Sequence, residues 1–513
     1  MLNNVARKTI ALGEKMDMNT FVAVARDGAK VEFSEDYCRR VNKSRALVEK
    51  WVEEEWVMYG VTTGFGALCD KAISPGETAA LQRNIILSHA TSVGEPLNVE
   101  QARAVMLMVL QNLGQGYSGV RLLVLEKYRD FLNAGLTPWA PKEGSVGYLC
   151  PEAHLALVLM GEGKAWYQGE LLPGAEALAK AGIKPLELAS KEGLALVSGT
   201  TSVTGLGALA LYDLIKAAKS ADVIGAMSLE VMRGIVKAFD PRVMSVRPHP
   251  HQSATAENVR RILNDSEVMA VSQGARVQDA LSLRCIPQLH GAAKKALDDA
   301  LVTIEIEMNS CCDNPIIWPG EKDADVISAC NADSSYVGLA MDASAIAATM
   351  LAKMSERRNN RLIDQSLSGY PCFLIKKPGL NSGLMIPQYS QAGLLNDMRI
   401  LSTPASIDNT PTCCSQEDYV AMGYNASKKA VQVVEKLEYI LAIELLSIFE
   451  AQQFLDEKLK RSRASAAVLE EIGQSVPTIE EDIFLHPHIE HIKGLIHSGR
   501  LLEVVEKEIG PLG

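Results

Sequence analysis

The sequence predicts an all-α protein, a long central helical bundle with a smaller, loop-rich N-terminal region. Three observations carry the prediction. Aromatic residues make up only 5% of the chain, while Ala, Leu, Met and Glu, which favour helices, are plentiful. Three proline-free runs, Thr204 to Val236, Tyr336 to Gln365 and Asn425 to Glu457, repeat apolar residues three and four apart, the mark of helices buried on more than one face. Strand-like alternation is confined to short stretches.

The elements follow in chain order. "FVAVARDGAKVEFS" alternates around Asp27-Gly28 and predicts one small hairpin. The first 200 residues then read as a helical region interrupted by polar turns, and residues 201–513 as the long-helix bundle with C-terminal helices. Three runs near or above thirty residues suit helices that traverse a bundle. The turn-rich segments are Tyr59–Asp70, Gly144–Pro151, Ser198–Thr204, Cys311–Pro315, Leu374–Gln388 and Asp408–Met422. Loops held between rigid helices are where binding and catalysis concentrate.

The bulk properties exclude several functions. Over 513 residues the formal charge is −11, which disfavours a nucleic-acid partner and leaves a small molecule as the expected ligand. The N-terminus has no apolar core with a cleavage site, and no run of ~18 apolar residues predicts a membrane span. The cytoplasm is the expected location. Ten cysteines without an export signal read as thiols. The pairs Cys311-Cys312 and Cys413-Cys414 lack the spacing of a zinc site. His249, His251, His486, His488 and His491 are interrupted by proline and read as solvated loop residues, so no metal is expected. Gly205 and Gly207 lack the strand and the third glycine of a dinucleotide fingerprint and read as close helix packing. His154 reads as a satisfied structural histidine.

The chemistry-bearing candidates sit beside glycine turns. Tyr59 precedes three glycines in "YGVTTGFG", where a phenol on a loop can act as acid or base. His89 lies on an otherwise apolar helix, and by itself reads as a core histidine. Gln278 and Arg284 fall in "QDALSLRC", read as helical, where an arginine calls for an anionic partner. Glu417 and Asp418 read as a helix start, one carboxylate capping and the other free.

Together these stretches resemble the histidine and aromatic amino-acid ammonia-lyases. The likeness runs from Tyr59 to Gln453 through "YGVTTGFG", "LQRNIILSHATSVGEPL", "GYSGVRL", "PEAHLALVLMGEG", "EGLALVSGT", "QDALSLRCIPQ", "DNP", "SERR", "LNSGLMIPQ" and "PASIDNTPTCCSQEDYVAMG". It implies a bundle of the ammonia-lyase/fumarase type, assembled as a homotetramer whose active sites are shared between subunits. Tyr59 matches the family's β-proton base. His89 and Glu417 match the pair that holds an imidazole in the histidine-specific branch. Arg284 matches the arginine that pairs with the substrate carboxylate, a job suited to its bidentate fork. Ser198, Gln278 and Asn381 fall at family substrate-binding positions.

One feature breaks the likeness. The family's electrophile, a methylidene-imidazolone ring formed from an internal Ala-Ser-Gly, belongs directly after "GSVG", yet Gly147 runs straight into Tyr148. Nearby, Ser198 stands for the family's asparagine, Leu281 for its tyrosine and Ala332 for a bulky aromatic. The reading taken from this is a ring-free lyase, with no cofactor. A quaternary ammonium leaves as a neutral amine without the ring, so the expected reaction is ergothionase-like: elimination of trimethylamine from ergothioneine to give thiourocanate. Lys377, with Lys376 beside it, would bind or protonate the thioimidazole ring. The alternative is a conventional histidine ammonia-lyase giving urocanate and ammonia. Its ring would come from an Ala-Ser-Gly between Gly147 and Tyr148 that the sequence as written does not show. A second alternative is a non-catalytic tetrameric homologue.

Overall fold

A computed structural model describes residues 9–513. The first eight residues of the N-terminal segment read above lie outside them. The chain forms two compact units. The first comprises the chain up to Leu209, Leu301–Asp342 and Pro404–Lys428; the second comprises Ala210–Ala300, Ala343–Thr403 and Lys429–Gly513.

The fold is mainly helical, as composition and periodicity predict. The three long runs are the helices Thr201–Val231, Ser335–Ile363 and Gly423–Ala451. Ile286–Glu307 is a fourth long helix that the sequence reading did not single out. By length and composition alone, Glu192–Val231 and Ser335–Ile363 could cross a membrane, yet the most apolar window of the first is wholly buried within the protein. That burial is what a core helix requires.

The hairpin expected at Asp27-Gly28 is absent. Met18–Ala25 is a helix, capped by the Asp17 side chain, which accepts from the Thr20 N–H at 2.8 Å. Phe21 to Ala25 are all buried. A short continuous apolar run fits a buried helix as well as a strand, and the aspartate cap decides between them. Lys30–Phe33 is a strand, paired in parallel with Thr9–Leu12, so the helix is the crossover between two parallel strands. The N-terminal region does carry a short hairpin, formed by Lys164–Tyr167 and Glu170–Pro173.

Gly205 and Gly207 serve packing. A Cβ on Gly205 would sit 3.1 Å from the Ala104 backbone, and one on Gly207 3.2 Å from Met341 Sδ and Ser427 Oγ. The segment after Gly147 is tied to the start of the longest helix. Buried Glu152 accepts from the Ser202 N–H at 2.9 Å and the Thr201 hydroxyl at 3.0 Å. A carboxylate suits the positive end of a helix, although burial raises its pKa.

Candidate active site

In the first unit, three loops bring the candidate residues together. The turn after Met58 carries Tyr59. Its phenol oxygen accepts from the Gly66 N–H at 2.7 Å, across a loop that Gly60 and Gly66 close with φ of +64° and +57°. Burial raises the phenol's pKa; the Gly66 hydrogen bond opposes this, and the charge of Glu417 adds to it.

His89 ends the helix Thr78–His89 and is half-buried. Its Nδ1 lies 2.7 Å from the Ile85 carbonyl and 3.0 Å from Ser88 Oγ. A carbonyl only accepts, so the bond to Ile85 puts the proton on Nδ1 and leaves Nε2 as an acceptor. Burial lowers the ring's pKa, opposed by the Ile85 bond and the Glu417 charge, so the imidazole is neutral near pH 7. Phe65 packs against it with ring centroids 5.1 Å apart. The core-histidine reading therefore gives way to a half-buried ring with one nitrogen open.

Glu417 lies on a tight turn, not at a helix start, and neither it nor Asp418 caps a helix; the next helix begins at Gly423. Three successive residues, Cys413, Cys414 and Ser415, have φ of +52°, +54° and +65°, a left-handed run that needs external support. Support comes from the Thr412 N–H, which donates to the Glu417 carbonyl at 2.8 Å, and from Cys413 Sγ, which accepts from the Ala67 N–H at 3.2 Å. The Tyr148 hydroxyl and the Thr412 hydroxyl both donate to Glu417 Oε2, at 3.1 and 3.2 Å. The sequence reading missed Tyr148 as a site residue. It placed the residue at the far edge of a gap, where the family has an aspartate, and gave it no role.

Ser198 Oγ accepts from the Asn314 N–H at 3.0 Å. A cavity of about 630 Å³ is walled by Glu307, Cys311, Cys312, Cys330 and Asp333 among others. Burial raises the pKa of Glu307 and pushes the Cys311 thiol to about 11, so that thiol stays protonated at neutral pH.

The remaining candidates belong to the second unit. Gln278 is exposed and lies outside any helix, because the helical segment starts only at Leu281. Arg284 ends the four-residue helix Leu281–Arg284 and is half-buried; its buried Nε has no hydrogen-bond partner among the described residues. Asn381 is buried, donating to the Lys376 carbonyl of its own loop at 3.2 Å and accepting from the N–H of Asp482, 101 residues away in sequence, at 3.2 Å. Lys376 pairs with Glu480 at 3.1 Å. Lys377 is exposed, with φ +54°.

Two further readings change. His154 is not satisfied: its buried Nε2 has no partner among the described residues, and burial lowers the ring's pKa. His249 is an exposed residue just ahead of a helix, as read, but His251 lies on that helix, Pro250–Leu263, with Nε2 2.6 Å from Asp298, and His486, His488 and His491 lie on the helix His486–Ser498. No cluster able to hold a metal occurs among the described residues.

Comparison with known proteins places this geometry. A model of the family "Aromatic amino acid lyase" matches residues 16–474. Histidine ammonia-lyase from Alkaliphilus oremlandii is 43% identical over 506 residues, covering 98% of this chain and 99% of that protein. The enzyme of the same name from Symbiobacterium thermophilum is 42% identical, covering 98% of this chain and 100% of that one. The structure of histidine ammonia-lyase from Trypanosoma cruzi superposes with a TM-score of 0.91 at 34% identity, over 98% and 96% of the two chains. Ergothionase from Treponema denticola, an ergothioneine-degrading enzyme, gives 0.89 at 27% identity, over 96% and 100%.

These findings overturn the expected elimination of trimethylamine from ergothioneine, since the relatives similar at 42–43% are histidine ammonia-lyases. They also overturn the expectation of no cofactor, because that family uses the methylidene-imidazolone ring. The residues at the seam do not fit the ring as they stand. No Ala-Ser-Gly occurs anywhere in the chain. Leu149 donates from its N–H to Val197 at 2.9 Å, and the Tyr148 side chain is already engaged with Glu417. The loops, the helices and the relatives agree on one statement: the chain belongs to the aromatic amino acid lyase family.

Proposed function

We propose that this protein is a carbon–nitrogen lyase that acts on histidine and releases ammonia and urocanate. The observation that carries this reading is the first-unit cluster of Tyr59, His89 and Glu417, in which the charge of Glu417 acts on both other groups. Full-length similarity to histidine ammonia-lyases supports it.

Glu417 Oε1 accepts from an N–H of the substrate imidazole, and His89 Nε2 accepts from the second N–H when that ring is protonated. Tyr59, as phenolate, removes a β-proton. The C–H electron pair becomes the new double bond, and the Cα–N bond breaks with its pair leaving on nitrogen as ammonia. The Gly66 N–H bond favours the phenolate that this step needs. Arg284 Nε, buried without a partner, is suited to the substrate carboxylate. Of the other candidates, Ser198 belongs to the first unit, while Gln278, Asn381, Lys376 and Lys377 belong to the second, and their substrate-directed roles rest on family position.

A homotetramer with shared active sites accompanies this reading, supported by the exposed apolar side chains of Val302, Ile306, Tyr336 and Leu339, which call for cover. A cytoplasmic location fits the same reading.

The test is incubation with histidine, following urocanate absorbance and ammonia release. Urocanate supports the proposal. Inert histidine, with ergothioneine converted to thiourocanate, overturns it. Intact mass decides the seam: a mass above the 55.5 kDa of the chain by one dehydrated Ala-Ser-Gly would put the ring between Gly147 and Tyr148.

A further inference from the structure

Glu417 has two carboxylate oxygens, and they are treated differently. Oε2 takes hydrogen bonds from Tyr148 at 3.1 Å and Thr412 at 3.2 Å. Oε1 has no hydrogen-bond partner among the described residues, and the residue is half-buried. The Thr412 donor comes from the same turn as Glu417. The Tyr148 donor comes from 269 residues away in sequence, so it fixes the carboxylate against a separate part of the unit.

The backbone around Tyr148 is built to deliver that hydroxyl. Gly147 has φ +138° and Leu149 φ +75°. Ser145 Oγ accepts from the Gly147 N–H at 3.2 Å, and the Leu149 N–H donates to Val197 at 2.9 Å. Both neighbours of Tyr148 are thus held in conformations that side chains seldom adopt freely. Burial and the Glu417 charge raise the phenol's pKa, which keeps it a donor across the working pH range. A carboxylate loaded with donors on one oxygen turns its other oxygen to the open side.

We propose that Tyr148 is a positioning residue that clamps Glu417 Oε2, with Thr412, and so presents Oε1 to the N–H of a bound imidazole. The inference rests on the histidine reading above for the identity of the ligand. The titratable groups facing Glu417 are Tyr59, His89, Tyr148 and Cys330. Of these, Tyr148 hydrogen-bonds to the carboxylate.

The test is a double-mutant cycle on the full-length protein, with imidazole-4-propionate as the probe. Tyr148→Phe should weaken binding about tenfold, the effect of one hydrogen bond to a charged group. In the Glu417→Gln background the same change should have little further effect. Equal losses in both backgrounds, or none in either, overturn the proposal. The position of the Glu417 carboxylate in crystal structures of wild type and Tyr148→Phe gives a second readout that needs no ligand. Loss of the Tyr148 donor should free Oε2 and rotate the carboxylate, and an unmoved carboxylate overturns the clamp. Failure of wild type to bind the probe would sink the histidine reading, while the carboxylate position still decides Tyr148.

Discussion

Two polar clusters in this molecule obey opposite rules. In the second unit, Arg358 and Glu444 are fully buried and joined by two hydrogen bonds of 2.5 and 2.9 Å, and Ser228 adds a third at 2.6 Å. Asp222 is likewise claimed by His290 and Lys294, each at 2.8 Å. These charges have been taken out of water, and their main hydrogen-bonding atoms are claimed by protein. In the first unit, Tyr59, His89 and Glu417 are only half-buried, and His89 Nε2 and Glu417 Oε1 have no partner among the described residues. The contrast teaches which polar cluster is structural. A saturated cluster has nothing left to offer a ligand, and a half-engaged one has been oriented but not used up.

That contrast can be broken by substitution. The largest expected effect is on rate: Tyr59→Phe should lower kcat by about 10²–10⁴, the usual worth of a positioned base, with an unchanged Tm. Activity should also rise with pH towards an alkaline limb above the ordinary tyrosine value of about 10, since burial raises the Tyr59 pKa and the phenolate is the active form. A pH-independent rate would remove Tyr59 from the mechanism. Glu444→Ala should instead cost stability, about 3–5 kcal/mol from an orphaned buried Arg358, read as a lower denaturation midpoint. A small shift there would mean the second-unit cluster is not the structural one.

His89→Leu should raise KM about tenfold while sparing stability, because a single hydrogen bond from a half-buried ring is lost. The smallest effect belongs to Lys376→Ala. Its ion pair with Glu480 joins side chains that are 51% and 71% exposed, and exposed pairs contribute about 0.2–1 kcal/mol. A large loss of turnover from this change would move Lys376 into the site.

The long helices were legible in sequence because a period near 3.6 in apolar residues survives any tertiary context. Tyr59, His89 and Glu417 were legible as residues in quoted motifs, but the geometry of Glu417 was not. A helix start was expected there, and three left-handed residues stand in its place, stabilised by Thr412 within the turn and by a contact from Ala67, 346 residues away in sequence, that local sequence does not encode. The Met18–Ala25 helix was misread for a related reason, since FVAVA fits either period until its Asp17 cap is given weight.

By itself the sequence determined the helical class, the acidic surface charge and the set of loops that carry chemistry, because periodicity, composition and motif order are local properties. Only the tertiary structure decided which polar groups are spent and which are free. It turned a seam at Gly147–Tyr148 into a hydroxyl resting on a carboxylate 269 residues away. Such pairings depend on which backbone segments fold against one another, and one chain's spacing does not carry that information.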